Sequence, residues 1–317
     1  MKRVGFDRLC VRDASQPGAG IRHAATELFE ACTLHGSAFD LACVTEPPFD
    51  AFFAATGTVP WSMRVPTFPW VHDLSIFSHP EWFPQSWVHR QYTTRKFLYG
   101  LTRAQHIFCV SEDTRRILKT HLPSLQKVTV THEGVQRPKT IALWDEREDQ
   151  VLMLGTVEPR KNIPFILDIW PAVCRILGRP VRLVVAGKDG WGNVAVTSSE
   201  TIERRVSISD QERDALLKTS RLILVPSLHE GFGRVVLEAM AFGTPVIASA
   251  VGAHSEVVGQ RGMLLDPQDR TAWINTIASL FTDRGTWQAQ QDRGRDQAAL
   301  FSWDDVAKQI LAVIRDG

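Results

Sequence analysis

At 317 residues, with 44% hydrophobic side chains and 36 basic against 35 acidic groups, the chain has material for two cores and a formal charge of only +1. That balance gives no general attraction to a nucleic-acid backbone. The five scattered cysteines, Cys10, Cys32, Cys43, Cys109 and Cys174, show no Cys-x-x-Cys and no histidine at metal spacing, which points away from a zinc site and towards a reducing compartment. The opening residues turn polar too early for a signal peptide, and no apolar stretch approaches the roughly 20 residues that span a bilayer. A cytoplasmic protein, free or at the inner face of a membrane, is therefore expected.

Along the chain, residues 47–69 are rich in Pro, Phe and Trp, and few strands can be drawn there; an abbreviated domain with a loop-rich face is expected. Residues 87–103 mix Trp87, Tyr92 and Tyr99 with Arg90, Arg95, Lys96 and Arg103. Such a helix either lies on an anionic membrane or packs on its own sheet with Trp87, Leu98 and Leu101 in the core. Short apolar runs then recur: Val128-Thr129-Val130, Val151-Leu152-Met153-Leu154, Leu183-Val184-Val185-Ala186, Leu222-Ile223-Leu224-Val225 and Pro245-Val246-Ile247-Ala248. With helix-period segments between them they read as buried parallel strands of a doubly wound α/β fold. The polar stretch 137–150 reads as a linker, and Ser302 as the N-cap of a terminal helix from Trp303. The expected division is an N-terminal Rossmann-like domain over 1–138, a C-terminal one over 139–302, and a terminal helix over 303–317 that packs back on the first domain.

The sharpest chemical signal is the run from His229 to Pro245, where Glu230 and Glu238 sit eight positions apart around Gly231-Phe232-Gly233. The glycines allow close backbone approach, and free N–H groups at the start of a helix opening near Arg234 would face an anion. Taken singly, a glutamate here would be a turn cap or a solvated helix residue. The pair at a strand-to-helix junction reads instead as two hydroxyl acceptors with phosphates between them. The second signal is Gly155-Thr156-Val157-Glu158-Pro159-Arg160-Lys161-Asn162, after a strand and before a helix with Ile163, Ile166, Leu167, Trp170 and Val173 on its buried stripe. Cations at a helix start oppose its dipole, a cost that a bound diphosphate would repay; the bland alternative is a solvated basic pair.

These motifs, with the segments 186–192, 251–257 and 265–267, resemble glycosyltransferase family 4, mannosyltransferase-like branch, retaining enzymes of the GT-B type. The likeness extends into the first half through Gly5-Phe6-Asp7, Val71-His72-Asp73-Leu74, Pro80-Glu81-Trp82-Phe83-Pro84 and Val110-Ser111-Glu112-Asp113-Thr114. The resemblance implies two Rossmann-like domains facing a cleft, the first abbreviated, and catalytic roles for Glu230, Lys161, Arg160 and His72. Glu230 would hold the donor sugar, Glu238 the ribose, Arg160 and Lys161 the diphosphate, and His72 would lie near the transferred sugar. Gly20, Thr156, Ile208, Asp210, Gly231, Phe232, Gly233, Val235 and Val236 would complete the donor site. Residues 206–210 match the loop that grips the base, with Asp210 accepting from a guanine edge; Ser209-Asp210-Gln211-Glu212 is equally a helix capping box, and the two are compatible.

Departures from the pattern are Arg22 where a second glycine is usual, near Pro17-Gly18-Ala19-Gly20, and a chain shortened between Ala42 and Val65. The implied reaction moves a hexose, first GDP-mannose, to a saccharide or lipid-linked acceptor with retention and with neither metal nor cofactor, the leaving phosphate deprotonating the acceptor. The rivals are a nucleotide-sugar epimerase using His72, His132 and Glu133, and a non-catalytic nucleotide-sugar-binding protein. No nucleic-acid partner is expected; peripheral membrane contact follows if the acceptor is a lipid.

Overall fold

The structure, a computed structural model, describes residues 1–7, 10, 20–43, 48–259 and 262–317. The chain divides into two compact units, one of Met1–Pro80, Gln85–Gly134 and Phe301–Gly317, the other of Glu81–Pro84 and Val135–Leu300.

In the first unit β1 (Lys2–Phe6), β2 (Phe39–Cys43), β3 (Ala51–Ala54), β4 (Thr67–Val71), β5 (Ile107–Cys109) and β6 (Val128–Val130) form a parallel sheet of order β2-β1-β3-β4-β5-β6. Between strands run α1 (Gly20–His35), α2 (Ser75–Ser78), α3 (Trp87–Thr102) and α4 (Glu112–His121). The central strands β3, β4 and β5 are buried throughout, with Phe52, Phe53, Phe68, Trp70 and Phe108 as the bulk of the filling. Glu112 and Asp113 lie at the start of α4 and Lys119 and His121 at its end, matching its dipole, and Ser111 caps it by accepting from the Thr114 amide at 3.0 Å.

The second unit repeats the plan. Strands β7 (Glu148–Leu154), β8 (Arg182–Ala186), β9 (Ile202–Arg205), β10 (Ser220–Val225), β11 (Val246–Ser249) and β12 (Met263–Leu265) lie parallel in the order β12-β11-β10-β7-β8-β9. Helices α5 (Ile163–Leu177), α6 (Asp210–Thr219), α7 (Arg234–Ala241), α8 (His254–Val258), α9 (Arg270–Thr282) and α10 (Arg284–Ala298) connect and flank them. The stripe expected on α5 is the buried one: Ile163, Ile166, Trp170 and Val173 join Trp273 and Trp287 in one core, with Leu167 packed at its edge. From β7 the chain goes first to β8 on one side and later to β10 on the other, so the strand order reverses at β7. Crevices outside the carboxyl ends of strands at such a reversal are where open α/β sheets bind ligands.

The last helix, α11 (Trp303–Asp316), belongs to the first unit, and Ser302 caps it as expected. It buries Trp303, Val306, Ala307, Ile310, Leu311 and Ile314. The close fit at its start is visible at Gly134, where a Cβ would stand 2.5 Å from the Trp303 amide nitrogen.

Two expectations change. Among the described residues the first sheet has six strands, as many as the second, where the sequence let few be drawn. Strands β3 and β4 lie inside the stretch that seemed loop-rich; being buried on both faces they show no alternation, and β4 carries Pro69, a residue that ordinarily argues against a central strand. Secondly, Glu148, Asp149 and Gln150 are the start of β7 rather than linker. Their polarity is matched by neighbours: Glu148 pairs with Arg182, Asp149 with Arg179 and with Arg221 at 2.9 Å, and the Gln150 amide donates to Ser220 Oγ at 3.0 Å.

Candidate active site

Three adjacent strands of the second sheet, β7, β10 and β11, end at one place. After β7, Gly155 turns with φ +132°, and the Val157 amide bonds the Lys188 carbonyl at 2.8 Å. A Cβ on Gly187, itself at φ +137°, would run into the Gly155 carbonyl, so two glycines let these loops pass in contact. A 3-10 turn, Pro159–Lys161, then presents Arg160 and Lys161 just before α5. After β10 the loop 226–233 carries Glu230, and after β11 Gly252 packs so closely on Glu230 that a Cβ would meet its backbone.

The sequence signals thus converge on direct contact. Glu230 is 8% exposed; its Oε2 takes Arg160 Nη1 at 2.5 Å and its Oε1 takes Lys161 Nζ at 2.6 Å and Ser227 Oγ at 2.7 Å. Arg160 also donates to the His229 carbonyl at 3.0 Å and clasps Glu158 Oε1 through Nη2 at 2.7 Å and Nε at 3.0 Å. Burial pushes the Glu230 carboxyl up, and Arg160 and Lys161 together outweigh it, holding it well below the usual carboxylate range. The cationic pair is therefore neither solvated nor left to a ligand alone: two carboxylates already face it. Glu158 is the partner that the sequence reading passed over, though it stands two residues before Arg160 in the motif itself.

Helix α7 starts at Arg234, as expected, behind Gly233 at φ +100°. Phe232, Val236 and Glu238 are buried, and Glu238 pairs with Arg234 Nε at 2.8 Å. Beneath Gly233 lies His254, fully buried, which the sequence reading also missed as part of the site. Its Nδ1 and the Ser249 carbonyl are 2.8 Å apart, its Nε2 makes no hydrogen bond, and a Cβ on Gly233 would stand 2.8 Å from its Cδ2. Burial lowers its pKa, against the pull of Glu230. Thr156 is half-buried beside Gly190, whose Cβ would stand 2.7 Å from Thr156 Cγ2.

The remaining residues are spread more widely. Ile208 is half-buried and Asp210 exposed, at the start of α6, where the capping box is formed: Ser209 Oγ accepts from the Glu212 amide at 3.2 Å and Glu212 Oε2 from the Ser209 amide at 2.7 Å. Ser207 before it adopts φ +56°, unusual for a residue with a side chain. In the first unit Gly20 is the exposed first residue of α1, and Pro17, Gly18 and Ala19 lie outside the described residues. His72 follows β4 and is buried, with Nδ1 3.0 Å from Glu133 Oε1 and Nε2 2.8 Å from the Ala55 carbonyl. Among the described residues, no group of three or more His, Cys, Asp or Glu is placed to hold a metal ion.

Residues 148–283, which hold Glu158, Arg160, Lys161, Glu230 and Glu238, match the family described as Glycosyl transferases group 1. They are a group 1 glycosyl transferase domain. Beyond that domain, the chain is 28% identical over 274 residues to O-antigen chain mannosyltransferase B of Escherichia coli, covering 76% of this chain and 68% of that one. It is 36% identical over 238 residues to the D-inositol 3-phosphate glycosyltransferase of Nocardioides sp., covering 64% of this chain, and spans about half (51%) of that relative's length. The fold is that of Anabaena Alr3699/HepE, solved in complex with UDP-glucose, with TM-score 0.74, 16% identity and 100% of both chains covered. Both six-stranded units are thus of the GT-B kind, and the glycosyl transferase domain supplies the whole charged cluster at the β7–β10 reversal.

Proposed function

We propose that this chain is a retaining, metal-independent hexosyltransferase that takes its sugar from a nucleoside diphosphate, GDP-mannose first, in polysaccharide or glycoconjugate synthesis. The observation that carries the reading is the buried Glu158–Arg160–Glu230–Lys161 cluster at the carboxyl ends of β7 and β10, beside the start of α7. In the reaction the bond from C1 of the sugar to the β-phosphate oxygen breaks and a bond from C1 to the acceptor oxygen forms on the same face. The acceptor proton passes to the departing phosphate. Negative charge that grows on that phosphate is stabilised by Arg160, Lys161 and the amides of Gly233 and Val235, held in place before it develops; the Val236 amide already donates to the Gly233 carbonyl at 2.9 Å. Glu230 has a carboxylate for the sugar hydroxyls and Glu238 one for the ribose; Thr156, Gly231 and Phe232 line the turns around them. Asp210 and Ile208 would meet the base, and Gly20 the donor from the first unit. The mannosyltransferase relative supports mannose, and the UDP-glucose complex of the fold neighbour keeps UDP-hexoses in the comparison.

The acceptor in this reading is a saccharide or a lipid-linked saccharide reached from the cytoplasmic side. A membrane contact is supported by α3: Trp87 is 67% exposed rather than in the core, Val88, Tyr92, Arg95, Tyr99 and Arg103 fall on one exposed stripe, and no acidic residue occurs between Trp82 and Ser111. Leu101 of the same helix is fully buried, as its alternative packing required. No helix among the described residues is long and apolar enough to cross a membrane. Salt-sensitive co-sedimentation with anionic vesicles supports the contact, and none removes it.

The test of the function is incubation with GDP-mannose, GDP-glucose, UDP-glucose and dTDP-glucose, reading free nucleoside diphosphate and sugar identity. Slow release of one diphosphate is expected. Interconversion of the sugar would mean an epimerase, and binding with neither outcome a non-catalytic protein.

A further inference from the structure

In the first unit, His72 sits at the carboxyl end of β4 with both ring nitrogens facing acceptors. Glu133, from the segment after β6, lies 3.0 Å from Nδ1, and the Ala55 carbonyl, at the end of β3, lies 2.8 Å from Nε2. The carbonyl can only accept, so Nε2 carries a proton. The Nδ1 contact then needs a second proton, on the ring or on Glu133. Held on Nδ1, that proton makes the contact a charge-assisted pair of imidazolium and carboxylate. The ring of Trp70 on β4 lies 4.5 Å from the imidazole, centroid to centroid, and offers an aromatic face to a cation. Two other carboxylates that follow strands of this sheet are engaged elsewhere, Asp7 by the Thr56 amide at 3.0 Å and hydroxyl at 3.3 Å and Asp73 by the Ser75 amide at 2.6 Å. His72 and Glu133 are both buried, so water does not compete freely for either contact.

We propose that His72 is a fixed imidazolium whose second proton is held by Glu133, that it supplies positive charge and not a base, and that Glu133 is its positioning residue. A ring that donates from both nitrogens has no lone pair with which to take a proton, which removes the base role that an epimerase would ask of it. The effect on turnover rests on the transferase reading above; the charge state of the ring does not.

The experiment uses the full chain with 15N-labelled histidine, the His72 signals being identified by their loss in His72→Asn. At pH 7.5 the wild type is expected to show both ring nitrogens protonated, and Glu133→Gln a neutral ring with the proton on Nε2. In a transfer or donor-hydrolysis assay Glu133→Gln is expected to lose about tenfold or more in kcat. Glu133→Asp should restore part of the turnover and of the ring charge. A neutral His72 in the wild type overturns the proposal, and so does a ring that stays charged in Glu133→Gln. If the wild type transfers nothing, the transferase reading fails while the nitrogen shifts still decide the charge of the ring.

Discussion

Glu230 is the residue on which the electrostatics turn. Two cations, Arg160 and Lys161, and two carboxylates, Glu158 and Glu230, make a cluster with no net charge, so its burial does not leave a charge uncompensated. Removing one member does. Glu230→Gln would leave Arg160 to Glu158 and strand one cation, Lys161, among buried groups, with a cost of about 3 kcal/mol or more. Because the Glu230 carboxyl is held well below 4.5 in the fold, its contribution is complete above the unfolded value of about 4.3 and is lost as pH falls through the lower, folded one. The difference in unfolding free energy between wild type and Glu230→Gln, measured with urea, should therefore be level from pH 8 to about pH 5 and shrink in stronger acid. A difference that already vanishes near pH 6 would mean that the ion pairs do not hold Glu230. The same cluster alters what Lys161→Ala reports: Glu230 keeps Arg160 and Ser227, so some stability is lost along with turnover.

At the scale of elements, the ends of α6 and α7 are tied to the entry of β7 by Arg147. Its guanidinium is buried with no carboxylate against it and donates to the Ser220 carbonyl at 2.7 Å, Thr244 Oγ1 at 2.7 Å, and the Gly243 carbonyl at 2.8 Å, with further bonds to Ala142 and Phe242. The negative ends of two helix dipoles and the face of Trp287, 5.2 Å away, stand in for a counter-ion, while burial brings its pKa down to about 10. Arg147→Met leaves those carbonyls unpaired and should cost about 3 kcal/mol or more, read as a fall in urea midpoint at unchanged slope; a shift under about 0.5 kcal/mol, the scale of an ordinary surface change, would show that the clamp is incidental. Such an element was not legible beforehand, because Arg147 reads as one more charge in a polar stretch. Strands β7, β8, β10 and β11 were legible, since their apolar runs answer burial on both faces. Strand β9, Ile202–Arg205, was not: it is an edge strand with three charged residues, held by Arg205 on Glu203 at 2.5 Å and Arg182 on Glu203 at 3.6 Å. In the charged cluster, Glu230 stood out beside Gly231, and Arg160 and Lys161 as a basic pair before a helix, where the dipole disfavours cations. His254 could not, since only the approach of its loop to Gly233 brings it there, and Ser227, though three residues from Glu230, carries no charge or motif to mark it.

For the whole molecule, apart from Glu81–Pro84 the chain stays in the first unit up to Gly134, builds the second unit with its glycosyl transferase domain, and returns at Phe301 to complete the first unit with α11. That topology makes the first unit depend on a helix that comes after the whole of the second. Six buried side chains of α11 are involved, and at about 1.5–3 kcal/mol for each large apolar one their loss approaches the whole stability of a domain, about 5–15 kcal/mol. Truncation after Ser302 should abolish one calorimetric transition and spare the other; retention of both would show that α11 is dispensable.

The central claim, that a nucleoside diphosphate is held by Arg160 and Lys161 beside Glu230, is tested most directly by titration calorimetry of GDP and UDP into the wild type and Lys161→Ala. One of the two nucleotides should bind the wild type at a single site and bind folded Lys161→Ala at least about tenfold more weakly, the scale of one lost charge-assisted hydrogen bond. Equal affinity in the two proteins, or no binding of either nucleotide to the wild type, would contradict it.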